Sequence, residues 1–400
     1  MMLENRDIGR LLRLKAPWEV ADVKMSADLK RVDISLGVRY DIMVRCPCCG
    51  KMCGVHDRVR RTWRHLDIMS AECHITADIP RTKCGKCGIL QIGTPWASEY
   101  VSYTNEFETK TLGILRSMPI SRAAAEMRIG YSVVEGMIDR FVHKALDKLD
   151  LSSVRNIMLD ETSSKRGHKY ITVITDADTG RIIFMCKGRG ADSLEKFKTW
   201  LKEHKGDPRK IRMVGCDLSR SFLSGLEKHF RRVKIVYDRF HLAQMANVAL
   251  DDIRSKNQMN GQRDKKLRFA LLRNSGRLSE EDRKRVFDIK KDNIILGKAY
   301  EMKESLLQLY DYPDRSSAAE HLRQWLKWVF AEGEDRMKRL GNTVARHFSK
   351  ILNWFRGRMS NGFLEGLNGM IQSTKRTGRG YPNTDNFIRM IFFRHGRLDV

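Results

Sequence analysis

The chain has 400 residues and carries 75 Lys and Arg against 49 Asp and Glu, a formal net charge of +26. Its hydrophobic content of 42% excludes wholesale disorder. No apolar run approaches the roughly 18 residues that cross a bilayer, and the N-terminal residues lack the apolar core of a signal peptide. We therefore expect a cytoplasmic protein. Since Lys and Arg neutralise phosphates, the charge favours a nucleic acid partner over a membrane surface, but it does not separate an enzyme from a packaging protein.

Seven of the nine cysteines fall within 42 residues, and four of them form two Cys-x-x-Cys pairs that are each followed by glycine. In a reducing compartment this clustering indicates a metal site rather than disulfides. Cys46 and Cys49, with Cys84 and Cys87, predict a zinc ribbon built from two tight knuckles whose backbone amides point at the thiolates. The long interval between the pairs leaves room for one or two β-hairpins. Four further residues are alternatives for one ligand each: Cys48, Cys53, His56 and His74.

Residues 105–149 predict helices that contain a helix-turn-helix. Gly130 occupies the position of a left-handed turn between two helices, and Ser132 with Glu135 has the spacing of a capping box. The second helix, at about 133–144, would lie in the major groove of DNA. The alternative is an ordinary pair of amphipathic helices joined by a glycine.

From residue 154 the pattern changes to short apolar strands that are rich in β-branched residues. The order of the predicted elements, three strands followed by helix, strand, helix and strand, indicates an α/β catalytic domain with the ribonuclease H-like fold. The predicted strands are 156–160, 170–175, 181–186, 211–216 and 233–237, and the predicted helices are 194–204 and 222–230.

Three carboxylates are the candidate catalytic residues. On this fold Asp160 lies at the end of the first, central strand, Asp217 directly follows the fourth strand, and Glu365 comes from a later helix. Three carboxylates can hold two Mg²⁺ or Mn²⁺ ions, which activate an attacking oxygen and stabilise the leaving one. The alternatives are that Asp217 caps a helix and that Glu365 is a solvated helical residue.

Three neighbouring residues are accessory candidates. Asp238, at the end of the fifth strand, is the rival of Asp217 for the second position, and its alternative role is to cap the helix at 242–253. His241 follows in the same motif. Glu161 is the weaker candidate because adjacent residues of a strand point to opposite faces.

The remaining segments are helical and basic. Residues 241–358 predict a basic helical insertion in the catalytic fold, which by analogy with related folds supports the active site and contacts DNA. The alternative is an accessory helical subdomain, and we expect Trp325, Trp328 and Trp354 in its core. Beyond Glu365, a basic stretch predicts phosphate contacts by Lys375, Arg376 and Arg379, with Gly378 and Gly380 allowing close approach of the backbone. A solvated basic face is the alternative.

The motifs taken together resemble those of the ISL-three family of bacterial insertion-sequence transposases, which are of the DDE type. The matching segments are Leu-Asp-Glu-Thr at 159–162, Arg-Gly-His-Lys-Tyr at 166–170, Asp-Arg-Phe-His at 238–241, Ser-Asn-Gly at 360–362, Glu-Gly-Leu-Asn at 365–368, Lys-Arg at 375–376 and Gly-Tyr-Pro-Asn at 380–383. The resemblance takes in the ribbon and the helix-turn-helix. It implies cleavage and joining of double-stranded DNA at element ends, with Asp160, Asp217 and Glu365 as the metal-binding triad, in a nucleoid-associated bacterial protein.

This interpretation divides the chain into five segments: a zinc-ribbon domain at 1–100, a helix-turn-helix domain at 101–150, the first part of the catalytic domain at 151–240, the helical insertion at 241–358, and the C-terminal part of the catalytic domain at 359–400. Synapsis of two element ends would require a homodimer or a larger assembly. Two other functions remain open from the sequence. One is a non-catalytic DNA-binding regulator derived from a transposase, and the other is a structure-selective nuclease or RNA hydrolase on the same fold.

Overall fold

The computed structural model describes residues 4–38, 42–165, 169–216, 220–256, 265–358 and 362–398, without the side chains of residues 165, 220, 221, 362 and 365. Asp217 therefore lies outside the described residues, and only the backbone of Glu365 is described. The chain forms two compact units, Met1–Ile138 and Asp139–Val400. Among the described helices, none is both long and apolar enough to cross a membrane.

The first unit is built on a mixed sheet with the strand order β1-β2-β6-β5, and β7 pairs with β6. The long β5–β6 hairpin occupies the interval between the two cysteine pairs, as the sequence predicts, and residues of β6 alternate between buried and partly exposed positions. The elements are α1 (Asn5–Leu11), β1 (Trp18–Met25), β2 (Arg31–Val38), β3 (Val44–Arg45), β4 (Met52–Cys53), β5 (Val55–Ile68), β6 (Ala71–Cys84) and β7 (Gly88–Gln91).

Three tryptophans occupy the core of this unit. Trp96 packs edge-on against Trp18 and Trp63, with ring centroids 4.7 and 5.5 Å away. Aromatic pairs favour this edge-to-face arrangement, and all three rings are buried. The sequence analysis did not predict β1 and β2, whose residues complete this core.

Three helices follow the sheet, as predicted: α2 (Asn105–Leu115), α3 (Ile120–Glu126) and α4 (Tyr131–Asp147), the last of which crosses the boundary between the units. Two details of the predicted turn are wrong. The left-handed residue is Arg128, with φ 53°, rather than Gly130, and the ion pair of its guanidinium with Asp67 stabilises this conformation. Ser132 lies inside the first turn of α4, because that helix begins at Tyr131 and the carbonyl of Gly130 accepts its first hydrogen bonds.

The second unit contains a five-stranded sheet with the order β10-β9-β8-β11-β12. The three strands β10, β9 and β8 are antiparallel, whereas β11 runs parallel to both β8 and β12. Each predicted strand and both predicted helices are present: β8 (Asn156–Lys165), β9 (Lys169–Asp176), β10 (Ile182–Lys187), α5 (Ala191–Glu203), β11 (Met213–Cys216), α6 (Arg220–His229) and β12 (Lys234–Tyr237).

The position of Asp160 within its strand differs from the prediction. β8 continues to Lys165, so Asp160 lies in the middle of the strand rather than at its end. The strand is longer than expected because its antiparallel pairing with β9 extends from Ile157 to Lys165, well beyond the last residue that pairs with β11. Asp160 instead lies two residues beyond Met158, the last residue of β8 that pairs with β11.

Between β12 and the C-terminal part, the described residues form seven α-helices: α7 (Arg239–Lys256), α8 (Lys265–Leu272), α9 (Glu280–Asp292), α10 (Ile294–Gln308), α11 (Arg315–Glu332), α12 (Asp335–Arg346) and α13 (Phe348–Leu352). Trp325 is buried in their core, and Trp328 and Trp354 pack against it, so the predicted role of these tryptophans is confirmed.

Two helices then return to the sheet, α14 (Gly362–Thr377) and α15 (Thr384–His395). Side chains of α14 contact β8, and Asp385 of α15 accepts a hydrogen bond from Lys187 of β10 at 2.6 Å.

Candidate metal centre and acidic strand edge

Four cysteines converge in the first unit. The sulfur atoms of Cys46, Cys49, Cys84 and Cys87 all lie within 4.8 Å of one another, and those of Cys49 and Cys84 are 3.7 Å apart. A tetrahedral zinc ion with Zn–S bonds of about 2.3 Å requires sulfur atoms about 3.8 Å apart. The thiols therefore fit a zinc ion, and their positions match the two predicted knuckles.

The backbone of each knuckle favours thiolate. A backbone N–H of Cys49 lowers the pKa of Cys46, and a backbone N–H of Cys87 lowers the pKa of Cys84 to about 6. This is the arrangement of amides expected from the sequence. A thiolate is the form that binds zinc.

The alternative ligands lie outside this group of four. Cys48 and His56 are exposed, and His74 is half-buried on β6. Cys53 is buried against the cluster, where its thiol donates to the carbonyl of Lys51 at 3.4 Å. Since Cys53 contacts the cluster without belonging to it, it supports the packing of the knuckles.

In the second unit, Asp160 is held from two sides. Its Oδ1 accepts the backbone N–H of Glu161 at 2.7 Å, and its Oδ2 accepts the side-chain amide of Asn368 at 2.5 Å. Asp160 and Glu161 are both half-buried. These donors fix the orientation of the Asp160 carboxylate on β8.

One face of α14 makes these contacts with β8. Besides Asn368, the amide of Gln372 donates to Thr162 Oγ1 at 2.7 Å, and Lys375 donates to the carbonyl of Ser163 at 3.1 Å. Residues three and four apart share a helix face. Glu365 precedes Asn368 by three residues, so its position lies on this face, one turn towards the start of the helix.

The sheet register relates two acidic positions. Gly215 pairs with Met158 of β8, and Cys216 pairs with Tyr237 of β12. Two residues after Met158 comes Asp160, and directly after Tyr237 comes Asp238. Since the three strands are parallel, their carboxyl ends share one edge of the sheet, which we call the carboxyl edge.

Asp238 is buried at this edge, with 5% of its surface exposed. Its Oδ1 accepts the backbone N–H of Phe240 at 2.9 Å, so it caps α7, as the alternative prediction stated. Its Oδ2 lies 2.6 Å from His241 Nδ1, and His241 is about one-third exposed. Burial, together with the Asp238 charge, raises the pKa of Tyr310 beyond its usual range.

The basic stretch at the end of α14 and just beyond it is divided between structural and exposed roles. Lys375 is half-buried against β8, whereas Arg376 and Arg379 are exposed. Packing requires glycine at Gly378, because a Cβ atom there would lie 2.8 Å from the Tyr381 ring. Gly380 has a φ of 90°, a left-handed conformation that favours glycine.

Asn368 and Gln372 are contact residues that the sequence did not predict. Asn368 belongs to a motif that supported the family resemblance, and Gln372 lies four residues further along the helix. Their spacing from Glu365 could have identified them, because side chains at these intervals lie on the same face of a helix as Glu365.

Comparison with known proteins agrees with the motifs. A family model described as a transposase, that of the ISL-three family, matches residues 157–391. A model described as a zinc-finger of transposase IS204/IS1001/IS1096/IS1165 matches residues 43–87, which contain the four clustered cysteines. This match and the cluster together support zinc binding.

Two curated relatives span most of the chain. The chain is 24% identical over 358 residues to the transposase for insertion sequence element IS1001 of Bordetella parapertussis, covering 86% of this chain and 87% of the relative. It is 24% identical over 396 residues to the transposase for insertion sequence element IS1557 of Mycobacterium tuberculosis, covering 91% and 88%.

Proposed function

The chain belongs to the ISL-three family of transposases, and we propose that it cleaves DNA at the ends of an insertion sequence and joins the freed 3′-hydroxyl to target DNA, using Mg²⁺ or Mn²⁺. One observation carries this proposal. The hydrogen bond from Asn368 to Asp160 brings the helix that contains Glu365 against the strand that contains Asp160. This contact supports one site that contains a sheet carboxylate and a helix carboxylate, which are 205 residues apart in the sequence.

The proposed triad is Asp160, Asp217 and Glu365 on a ribonuclease H-like domain. The strand order and the directions of the five strands support this fold. Asp217 directly follows Cys216, the residue that pairs with Tyr237 and ends β11 beside Asp160. Glu365 contributes from the face of α14 that packs on β8. Asp238 takes a supporting role, because its two carboxylate oxygens already accept from Phe240 and bind His241.

The carboxylate of Asp160, the one member of the proposed triad whose side chain is described, suits a hard divalent cation, which prefers carboxylate oxygen ligands. When bound, two such ions would activate the attacking oxygen and stabilise the leaving oxygen. The residues of the chain orient the reacting groups. Asn368 and the N–H of Glu161 fix the carboxylate of Asp160, and exposed Arg376 and Arg379 at the end of α14 neutralise phosphates of the bound strand.

The first unit is proposed to recognise the element ends. The turn between α3 and α4, with the left-handed Arg128, supports a helix-turn-helix whose second helix, α4, enters the major groove. The zinc ribbon precedes it in the chain. Binding of two element ends by a homodimer or larger assembly completes the proposed reaction.

The test is cleavage of a plasmid that carries the gene with its native flanks. Purified protein with Mg²⁺ should produce breaks at matching inverted repeats, and Asp160→Asn and Glu365→Gln should bind the same DNA without cleaving it. A Glu203→Gln variant, changed at an exposed residue of α5, is the matched control and should cleave normally.

The outcomes separate the alternatives. Specific binding by the wild-type protein without any metal-dependent breaks would contradict the proposal and favour a regulator. Breaks that are scattered, or that persist in Asp160→Asn, would indicate another nuclease.

A further inference from the structure

A basic groove lies at the end of the second-unit sheet opposite the carboxyl edge. It has a volume of about 1010 Å³ and lies between the ends of α5 and α6 and the starts of β11 and β12. Its lining contains seven Lys and Arg residues against a single acidic residue, Asp207. We call this feature the amino-edge groove. No motif of the sequence analysis falls in it.

Most of its cations have no acidic partner. Lys205 pairs with Asp150, and Arg209 pairs with Asp207. The other five, within the part of the chain that the structure describes, make no ion pair: Lys198, Lys202, Lys228, Arg231 and Arg232. By contrast, several cations of the helical insertion are paired within it, such as Arg254 and Arg268 with Asp251.

Helix dipoles explain only part of this charge. Cations in the last turn of a helix interact favourably with its carbonyl end, and Lys202 of α5 and Lys228 of α6 hold such positions. Arg231 and Arg232 lie beyond α6, and both are exposed. Lys198 and Lys202 are four residues apart on one helix, a spacing at which like charges destabilise it. The concentration of charge therefore points to an external polyanion.

The groove is separated from the proposed cleavage site by the sheet. Ile211, two residues before β11, lines the groove, and Cys216 ends that strand at the carboxyl edge. The five residue steps between them span roughly 17 Å at about 3.3 Å per residue. A duplex held by Arg376 and Arg379 at the carboxyl edge thus leaves the amino-edge groove available to other DNA.

We propose that the amino-edge groove binds the phosphate backbone of a second segment of duplex DNA, distinct from the segment at the carboxyl edge. The inference rests on the proposed function for the identity of the first segment. An open groove lined by flexible cations, with a single carboxylate to accept from bases, fits backbone contact without sequence preference.

The experiment is a bridging assay with two duplexes of the same arbitrary sequence, one biotinylated and one fluorescent, in EDTA. Full-length wild-type protein held on the biotinylated duplex should capture the fluorescent one. A triple variant that combines Lys202→Gln, Arg231→Gln and Arg232→Gln should still bind the first duplex. Capture of the fluorescent duplex by this variant should fall on the order of 100-fold at about 0.15 M salt. Each lost phosphate contact removes about 0.9 from the slope of log affinity against log salt concentration, and the variant lacks three cations.

A matched triple variant controls for the change in net charge. Arg283, Lys284 and Lys327 are exposed cations of the insertion outside the groove, and their replacement by Gln should leave capture unchanged. Light scattering and the far-ultraviolet circular dichroism spectrum confirm that both variants keep their mass and fold.

Four results would overturn the proposal. The first is that the wild-type protein does not capture the fluorescent duplex, and the second is that capture falls equally in both triple variants. The third is that the groove variant loses the biotinylated duplex as well, and the fourth is that a change in its oligomeric mass accounts for the fall in capture. The last would assign the groove to a protein interface. Because the assay requires no cleavage, an inactive but DNA-binding wild-type protein would contradict the proposed catalysis without affecting this result.

Discussion

Asn368 of α14 donates a hydrogen bond to Asp160 of β8, with Nδ2 and Oδ2 2.5 Å apart. This bond joins the helix of the proposed third carboxylate to the strand of the first. It makes Asn368 a positioning residue, because it acts through Asp160.

Replacement of Asn368 by Ala should lower cleavage by about 10- to 100-fold, the usual effect of removing a group that orients a metal ligand. Binding of DNA should not change. The rate of plasmid cleavage, measured beside DNA affinity, checks this prediction. Gln372→Ala is the matched control, since it removes a contact of the same helix face that does not touch Asp160. Equal losses in the two variants would show that Asn368 only docks the helix.

The second acidic position is tested by Asp217→Asn against Asp238→Asn. We expect the first to reduce cleavage to background, because it removes a proposed metal ligand without changing side-chain size. Asp238→Asn should retain the helix cap and lose only about 10- to 100-fold, through altered orientation of His241. The reverse order of severity, with both variants folded, would move the second ligand to Asp238.

The zinc content of the purified protein should be one ion per chain. Cys46→Ser and Cys87→Ser should each lose most of the zinc, because a structural site requires all four ligands. Cys48→Ser, at an exposed neighbour, and Cys53→Ser should retain it. Metal analysis by mass spectrometry measures the ratio, and a strong chelator should lower the melting temperature of the first unit. If Cys53→Ser lost its zinc, Cys53 would be a zinc ligand in place of one of the four cysteines.

A buried lysine stabilises the helical insertion. Lys303 is fully buried on α10, where it donates to the carbonyls of Leu271 and Arg273 at 2.7 and 3.1 Å and pairs with Glu304 at 2.7 Å. Burial lowers its pKa, although Glu304 opposes the shift. Lys303→Met should destabilise the protein by about 3 to 5 kcal/mol, because it leaves buried acceptors and a carboxylate unpaired.

A surface pair between α10 and α11 is the control for that change. Lys298 and Glu332 are about half exposed and 2.9 Å apart, so Lys298→Met should cost about 0 to 1 kcal/mol. Urea-induced unfolding, followed by tryptophan fluorescence, measures both variants. Similar unfolding midpoints for the two would contradict the structural role of Lys303.

The ion pairs of Asp67 predict an acid-dependent loss of stability in the first unit. Burial alone would raise its pKa, but hydrogen bonds and charges from Arg64 and Arg128 outweigh it and lower the pKa below the ordinary 3.8. A lowered carboxyl pKa stabilises the fold above 3.8, and this stability is lost as pH falls through the folded-state value.

Asp67→Asn should therefore cost about 1 kcal/mol at neutral pH, after allowance for screening of the partly exposed groups. The difference from wild type should shrink as the pH falls below about 4 and vanish below the folded-state pKa. Thermal unfolding across this range measures it. Asp22→Asn, which breaks an exposed pair with Lys24, should have little effect at any pH. A difference that grows as the pH falls would contradict the assignment.

The sequence predicted the local elements of the second unit well. Strands β8 to β12 and helices α5 and α6 follow from short β-branched runs and helical spacing, which depend on neighbouring residues alone. The sequence also predicted the four clustered cysteines, since a Cys-x-x-Cys-Gly knuckle is itself a local structure. It did not predict the left-handed conformation of Arg128, because Asp67, a residue distant in the chain, stabilises that conformation.

The sequence by itself determined the candidate groups for the chemistry: four thiols, a set of carboxylates and a basic surface, each defined by residue type and local spacing. Only the tertiary structure decided which of them meet. Asn368 reaches Asp160, Asp238 is occupied by Phe240 and His241, and unpaired cations from α5 and α6 gather at the amino edge. The physical reason is that these contacts join residues far apart in the chain, and strand pairing and helix packing set their distances.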